Sequence, residues 1–297
     1  MERKIEFVAY LLLYKSVVGS EQLKETYEDI LTYAKDVDKL YIFNFSKNGQ
    51  SLLFDSLERF DFIEYASPTS NGEAADYKLA MRHAIKIGAK YVTIMQQGYF
   101  FEDGGYLQLK RHIIEGDVKD NAAVVSAYPL FTCEEKGNEK LISRPIKGCH
   151  LVGTIINVDI YKALDGFDES YYETTFDYDY CLNARQNGYE VILFNNILLR
   201  NRNFKQISRR VFGHVVYSYT TDIYKLYYET RGRRYLWDKY QKFDAEYVKL
   251  DKKLQAKEWK EMRIIEKGFR DKKEIIQQAR MDYRLGRKGK AFEDIKY

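Results

Sequence analysis

Short apolar runs alternate with amphipathic stretches through the first two-thirds of the chain. Residues 7–14 form one unbroken apolar run and read as a buried strand. Residues 21–34 predict a helix with Leu23, Tyr27, Ile30 and Leu31 on one face. A second strand is expected over 40–44, ending in the polar turn Ser46-Lys47-Asn48-Gly49. A short helix over 50–59 and a third strand over 62–65 follow. Residues 74–87 predict a helix stopped by Gly88, and 91–95 and 122–128 two further strands. Strands alternating with helices imply parallel pairing, because parallel neighbours need a crossover that a helix supplies. Ligands of such open sheets bind beyond the carboxyl ends of the strands, so chemistry is sought in the turns after Tyr14, Asn44 and Met95.

From about Gln206 the pattern changes. Arg209, Arg210, Lys225, Arg231, Arg233, Arg234 and Lys239 interleave with Tyr217, Tyr219, Tyr224, Tyr227, Tyr228, Tyr235 and Trp237, and 244–284 reads as continuous helix. A boundary is expected near 205, with an α/β domain over 1–205 and a mostly helical basic and aromatic extension over 206–297. The aromatics and cations of the extension suit packing onto the first domain, contact with a membrane headgroup region, or dimerisation. Tyr247, Leu250, Leu254 and Trp259 have a spacing usable for either intramolecular packing or a partner helix.

At 297 residues the chain suffices for one large domain or a domain with an appendage. A hydrophobic share of 45% with 31% charged residues excludes general disorder. A net charge of +4 gives no argument for nucleic acid, and no nucleic-acid module signature is present. Cys133, Cys149 and Cys181 are scattered, without a C-x-x-C pair or a His/Cys cluster. That excludes structural zinc and a disulfide framework and fits a reduced, cytoplasmic setting. The first apolar run is short for a signal peptide, and no stretch approaches the ~18 apolar residues of a membrane span.

Two segments carry a resemblance. The first is Gly166-Phe167-Asp168-Glu169, then Phe176-Asp177-Tyr178-Asp179-Tyr180-Cys181, then Arg185-Gln186-Asn187-Gly188-Tyr189. In order, residue type and spacing it resembles the family 2 glycosyltransferase pattern G-F-D-E, E-D-x-D-x-x-x-R, x-x-G-Y. The second, Tyr227-Tyr228-Glu229-Thr230-Arg231 with Gly268-Phe269-Arg270-Asp271 and Gly286-Arg287-Lys288-Gly289-Lys290, looks like the tail of bacterial rhamnosyltransferase-like members. The resemblance implies an α/β GT-A fold, a Rossmann-like mixed sheet flanked by helices, with a helical C-terminal extension. It implies a UDP- or dTDP-sugar donor and inverting transfer of a sugar, rhamnose or another hexose, to a growing cell-surface polysaccharide or lipid-linked glycan. The family's base falls on Asp177, since an acceptor hydroxyl is a poor nucleophile until a carboxylate takes its proton. Asp179 and Arg185 are then supporting or acceptor-side groups, and Asp168 and Glu169 fix the turn that presents the acceptor loop. Gly166 and Gly188 read as turn glycines and Cys181 as a small buried apolar residue.

The departures from the family fall at the donor side. Its acidic D-x-D motif, which holds a divalent cation on the donor diphosphate, is here Gln96-Gln97-Gly98. Its nucleotide-holding aspartate is Phe43, followed by Asn44, and its metal-binding histidine is replaced by Arg200-Asn201-Arg202. Lys15 and Lys78 stand where neutral residues are usual. The donor-binding set expected is therefore Lys15, Phe43, Asn44, Lys78, Gln96, Gln97, Gly98 and Arg200. No metal cofactor is expected, with Mg or Mn kept as the alternative; fixed cations replace it in a metal-independent enzyme. The competing expectation is a non-catalytic member that partners another transferase or forms a homo-oligomer. Either would sit in the cytoplasm, peripherally at the inner face of the membrane.

Overall fold

The computed structural model describes residues 6–17, 19–46, 57, 60–130, 143–204, 206–211, 213–219, 222–266 and 268–291. The turn at 47–49, the helix expected over 50–59 apart from a helical, buried Leu57, and Cys133 lie outside the described residues. The first apolar run forms β1 (Phe7–Leu13), flanked by β2 (Lys39–Asn44) and β4 (Tyr91–Gln96), both parallel to it. Beyond β2 lies β3 (Ile63–Ala66), also parallel. The sheet continues with β5 (Tyr99–Phe101), β6 (Ala122–Leu130), β7 (Ser143–Pro145), β8 (Ile155–Asn157) and β9 (Glu190–Asn201). Its order is β3-β2-β1-β4-β8-β6-β9-β5, with β7 also on β9. β6 and β9 pair parallel, whereas β8, β5 and β7 pair antiparallel with their neighbours. The sheet is thus mixed, as expected of the family resemblance and not from the strand–helix alternation.

A fully apolar β1 follows from its place between two layers. Val8, Tyr10 and Leu12 enter one core with helices α2 (Glu73–Lys86) and α5 (Phe176–Gln186). Phe7, Ala9, Leu11 and Leu13 enter the other, beneath α1 (Ser20–Leu31) and α3 (Gly105–Ile114). Successive strand residues face opposite ways, so both layers are built from one run. The short α4 (Val158–Ala163) begins at Asn157, whose side chain accepts from the backbone N–H groups of Asp159 and Ile160.

From Gln206 the chain first forms an antiparallel hairpin, β10 (Gln206–Val211) and β11 (His214–Tyr219). Helices α6 (Ile223–Tyr240), α7 (Ala245–Ile265) and α8 (Phe269–Arg284) follow. The helix expected to run unbroken from 244 to 284 is split: Glu266 turns extended, with a ψ of 132°, at the end of α7, and Gly268, with a left-handed φ of 88°, caps the start of α8. Leu236, Trp237, Tyr240, Tyr247 and Val248 join the same apolar core as Val8 and Tyr10. Tyr227, Tyr228 and Arg231 are at most 2% exposed, and the Arg231 guanidinium lies over both tyrosine rings at 5.0 and 5.1 Å. Much of the aromatic and basic content of this region is therefore internal packing. No helix among the described residues is long and apolar enough to cross a membrane.

Charged groups fix this helical layer to α5. Asp179 accepts from Lys239 Nζ at 2.8 and 3.0 Å and from the Tyr171 hydroxyl at 3.1 Å, while its backbone carbonyl takes the Tyr240 hydroxyl at 3.0 Å. Arg185 and Lys147 both pair with Asp244, at 2.9 and 3.1 Å. Removing the Asp179 carboxylate would leave Lys239 and a buried tyrosine hydroxyl without their partner. Asp179→Ala is expected to lower stability by about 2 kcal/mol in urea unfolding, a lone lost surface pair being worth well under ~1 kcal/mol.

Candidate active site

Asp177 sits in the first turn of α5, where the helix dipole favours a carboxylate. It is 7% exposed. One carboxylate oxygen meets His150 Nδ1 at 2.6 Å, and the other accepts the Tyr178 backbone N–H at 2.8 Å. His150 comes from the segment leading to Gly153, whose N–H donates to the Ile94 carbonyl on β4 at 2.9 Å. That segment passes α5 closely at Gly148, where a Cβ would come within 2.9 Å of the Tyr178 ring. A glycine is needed there for His150 to reach Asp177. Burial pulls the His150 pKa down, but the adjacent Asp177 charge and hydrogen bond outweigh it and raise the pKa to about 9. The ring lies deep among protein atoms, yet its side chain is 60% exposed, because it faces a cleft.

On the strand side of Asp177 the cleft is rich in carboxyl groups. Glu73 opens α2, fixed there by Gly72, which has a φ of 100° and a neighbouring Tyr172 ring within 2.8 Å of any added Cβ. Glu73 accepts from Gln96 Nε2 at 2.6 Å, at the end of β4, and the same amide reaches the Tyr77 hydroxyl at 3.3 Å. Burial raises the Glu73 pKa against the pull of Lys225 and Gln96, and the charge of Asp177 adds to the rise. Glu173 is pushed up to about 7, by burial first and then by Glu73, although it accepts from the Tyr224 hydroxyl at 3.3 Å. Asp76 is raised as well, by burial, despite the Ser70 hydroxyl at 2.6 Å. Lys225, in the first turn of α6, is the cation of this cleft, its pKa raised chiefly by Glu73.

The expected donor-side residues are dispersed by comparison. Lys78 pairs with Glu169 at 2.6 Å, joining α2 to the turn that Asp168 caps through the Ser170 N–H at 2.9 Å. Arg200 is paired with Glu102, and Arg202 with Asp29 at 2.6 Å. Lys15 is exposed in the bend after β1. Phe43 is 5% exposed and packs edge-on against Tyr10, Phe45 and His83. The Asn44 amide donates to the Tyr65 hydroxyl, and its oxygen accepts from Ser46. Gly98, with a φ of 88°, lies against Asn203, whose side chain donates to the Gln97 carbonyl at 3.2 Å. Of these residues, Gln96 is hydrogen-bonded to a carboxyl group coupled to Asp177. Asp179 and Arg185 hold the helical layer in place and Glu169 binds Lys78, so none of the three has a free charge facing the cleft.

A hard divalent cation does not fit the position where the family places one. Gln96 presents an amide N–H to Glu73, and Arg200 is committed to Glu102. Among the described residues no three His, Cys, Asp or Glu side chains are grouped to hold a metal. The sequence reading missed His150, Glu73 and Lys225. The one signal was that His150, among four histidines in the chain, lies just upstream of the G-F-D-E segment. Beside His150 two cavities open, one of about 520 Å³ between α5, α6 and α7 and one of about 320 Å³ between β11, α6 and α7.

A mixed sheet with helices on both faces, in this strand order, is the GT-A fold of nucleotide-sugar glycosyltransferases. No protein-family model and no curated protein matches the chain. Among solved structures, GalNAc-T7 with UDP, GalNAc and Mn2+ matches with a TM-score of 0.55 and 10% identity, over 81% of this chain and 50% of that one. The chain therefore spans about half the length of that relative. TarS 1–349 of S. aureus matches with a TM-score of 0.47 and 10% identity, over 65% of this chain and 60% of that one; its complex with UDP gives the same score and identity over 66% and 60%.

The histidine supplies a direct test of the site geometry. With a folded pKa of about 9 against the ordinary 6.5 of a free imidazole, the pair with Asp177 stabilises the fold fully below about 6.5 and is lost as pH rises through about 9. An NMR titration of the His150 ring is expected to give a midpoint well above 6.5, falling by about one unit or more in Asp177→Asn.

Proposed function

We propose that the chain is a glycosyltransferase that moves a sugar from a nucleotide-sugar donor to a hydroxyl of a glycan acceptor. The observation that carries this reading is the placement of Asp177 between the strand-end cleft, with Glu73 and Gln96, and the cavities that open at His150. The acceptor oxygen attacks the anomeric carbon while its proton passes to the Asp177 carboxylate. The bond from that carbon to the diphosphate oxygen breaks, and the nucleoside diphosphate leaves with the electron pair. A single displacement of this kind inverts the anomeric centre. The His150 imidazolium and the Lys225 ammonium are the cations available to the developing charge, in place of a bound metal. Burial raises the carboxyl pKa of Glu73, Asp76 and Glu173, that of Glu173 to about 7, so a proton taken up at Glu173 would ease the approach of a diphosphate.

The family resemblance supports a UDP- or dTDP-hexose as donor, rhamnose among the sugars, and a growing cell-surface or lipid-linked glycan as acceptor. It also supports peripheral action at the inner face of the membrane. The division at residue 205 is proposed as one of function: the Asp177 carboxylate and the strand ends before it, and after it Lys225 on the donor side together with an acceptor wall. A second reading, a non-catalytic glycosyltransferase-like subunit, is favoured by one observation. Phe43 is packed in the core where the family holds the nucleotide, so it offers the donor neither a hydrogen bond nor an open ring face.

A panel of UDP- and dTDP-sugars, scored by thermal shift and by donor turnover, separates the two readings. Transferase action predicts binding and turnover unchanged by EDTA, and a fall of about 10²–10⁴ in kcat for Asp177→Asn. Turnover abolished by EDTA contradicts the metal-independent mechanism, and no binding by any donor leaves the second reading. Lys225→Met is expected to weaken nucleotide-sugar binding about tenfold, the loss of one charge-assisted contact, with little change in melting temperature.

A further inference from the structure

The two cavities beside His150 adjoin along a shared wall. Both are lined by His150, Glu229 and Glu258, and each continues along α7 in an opposite direction. One arm runs over Leu250, Leu254 and Tyr247, the other over Gln255, Trp259 and Met262. From Tyr247 to Met262 the helix covers about 22 Å at ~1.5 Å per residue, with His150 facing its middle stretch.

The groove wall has a definite chemistry. Arg233 lies behind it, and all five of its N–H donors are engaged. Nε and Nη2 donate to Asp251 at 3.0 and 2.7 Å, Nη2 also to the Asp251 carbonyl at 3.3 Å, and Nη1 to Glu229 and Glu258 at 2.9 and 2.7 Å. One guanidinium thus answers three carboxylates and has no donor left for a phosphate or a carboxylate ligand. Glu229 and Glu258 keep free acceptor lone pairs, with side chains 37% and 34% exposed. Leu250 and Leu254 are 53% and 50% exposed, an apolar floor on the groove. Hydroxyl donors above carboxylates, with C–H faces on leucine and aromatic rings, describe a polyhydroxylated neutral ligand, and anionic ones are repelled.

We propose that this groove binds an extended, uncharged glycan, and that the hydroxyl presented at His150 belongs to a sugar inside the chain. The transferred sugar then becomes a side branch. This inference rests on the transferase reading for its second half only: a chain that continues into both arms of the groove places an internal residue, not its end, at the reaction point.

The full chain, without donor, is applied to an array carrying neutral oligosaccharides of graded length together with phosphorylated and uronic-acid glycans. Binding is expected for neutral glycans only, rising with length. Leu254→Trp, which fills one arm from an exposed position, is expected to reduce it at least tenfold with the melting temperature unchanged. Binding of anionic glycans, equal binding of monosaccharides, or binding of nothing overturns the groove. With a donor added, mass-spectrometric sequencing of the product is expected to find the new sugar on an internal residue, and a sugar at the chain end overturns the branching step. Glycan binding with no donor turned over removes the transferase reading and the branch together, and leaves the groove standing.

Discussion

A carboxylate taken out of water must find a partner, and Asp177 finds His150 at 2.6 Å. Much of the local backbone serves that contact. Gly148 lets the His150 segment pass beneath Tyr178, and the Gly153 N–H ties the segment to β4. Thr175, just before α5, holds a φ of 78°, costly for a β-branched residue. It is packed against α6 at Gly232, where a Cβ would come within 2.6 Å of its hydroxyl. The helical layer therefore bears directly on the turn that presents Asp177. Function and C-terminal packing are coupled at one point.

Charge is distributed on the two sides of that point by different means. Toward the strand ends, Glu73 and Glu173 crowd around Lys225 and burial raises their pKa values, that of Glu173 to about 7. Toward α7, Glu229, Asp251 and Glu258 share the one Arg233, which remains 7% exposed behind them, and burial raises the Glu258 pKa against that pull. The proposed reaction places the diphosphate on the first side, beside Lys225, and the acceptor on the second.

The layered α/β architecture was legible because burial on both faces forces β1 to be wholly apolar, and because α1 and α2 carry a helical period. Motif spacing alone singled out Asp177 as a candidate, since nothing in composition or periodicity distinguishes it from Asp179 two residues on. Their fates differ for tertiary reasons: helical geometry turns Asp179 toward Lys239 and Tyr171, and Asp177 toward His150. The partners of Lys78, Arg200 and Arg202 lie 91, 98 and 173 residues away, respectively. No local pattern discloses such pairs, and an unpaired cation in sequence is not an unpaired cation in space. The antiparallel insertion of β8 between β4 and β6, and the hairpin that precedes α6, likewise depend on long-range pairing. Gly268 was visible, but a lone glycine does not say by itself whether a helix ends there.

The central claim is that Asp177 stands at the reacting carbon, with Lys225 and His150 facing the diphosphate. Its most direct measurement is a crystal structure of the chain with a non-hydrolysable nucleotide-sugar analogue in EDTA-containing buffer. The diphosphate is expected beside Lys225 at the end of β4, with the anomeric carbon turned toward the Asp177–His150 pair. A nucleotide bound away from these residues, or held there only after a divalent cation is supplied, would contradict it.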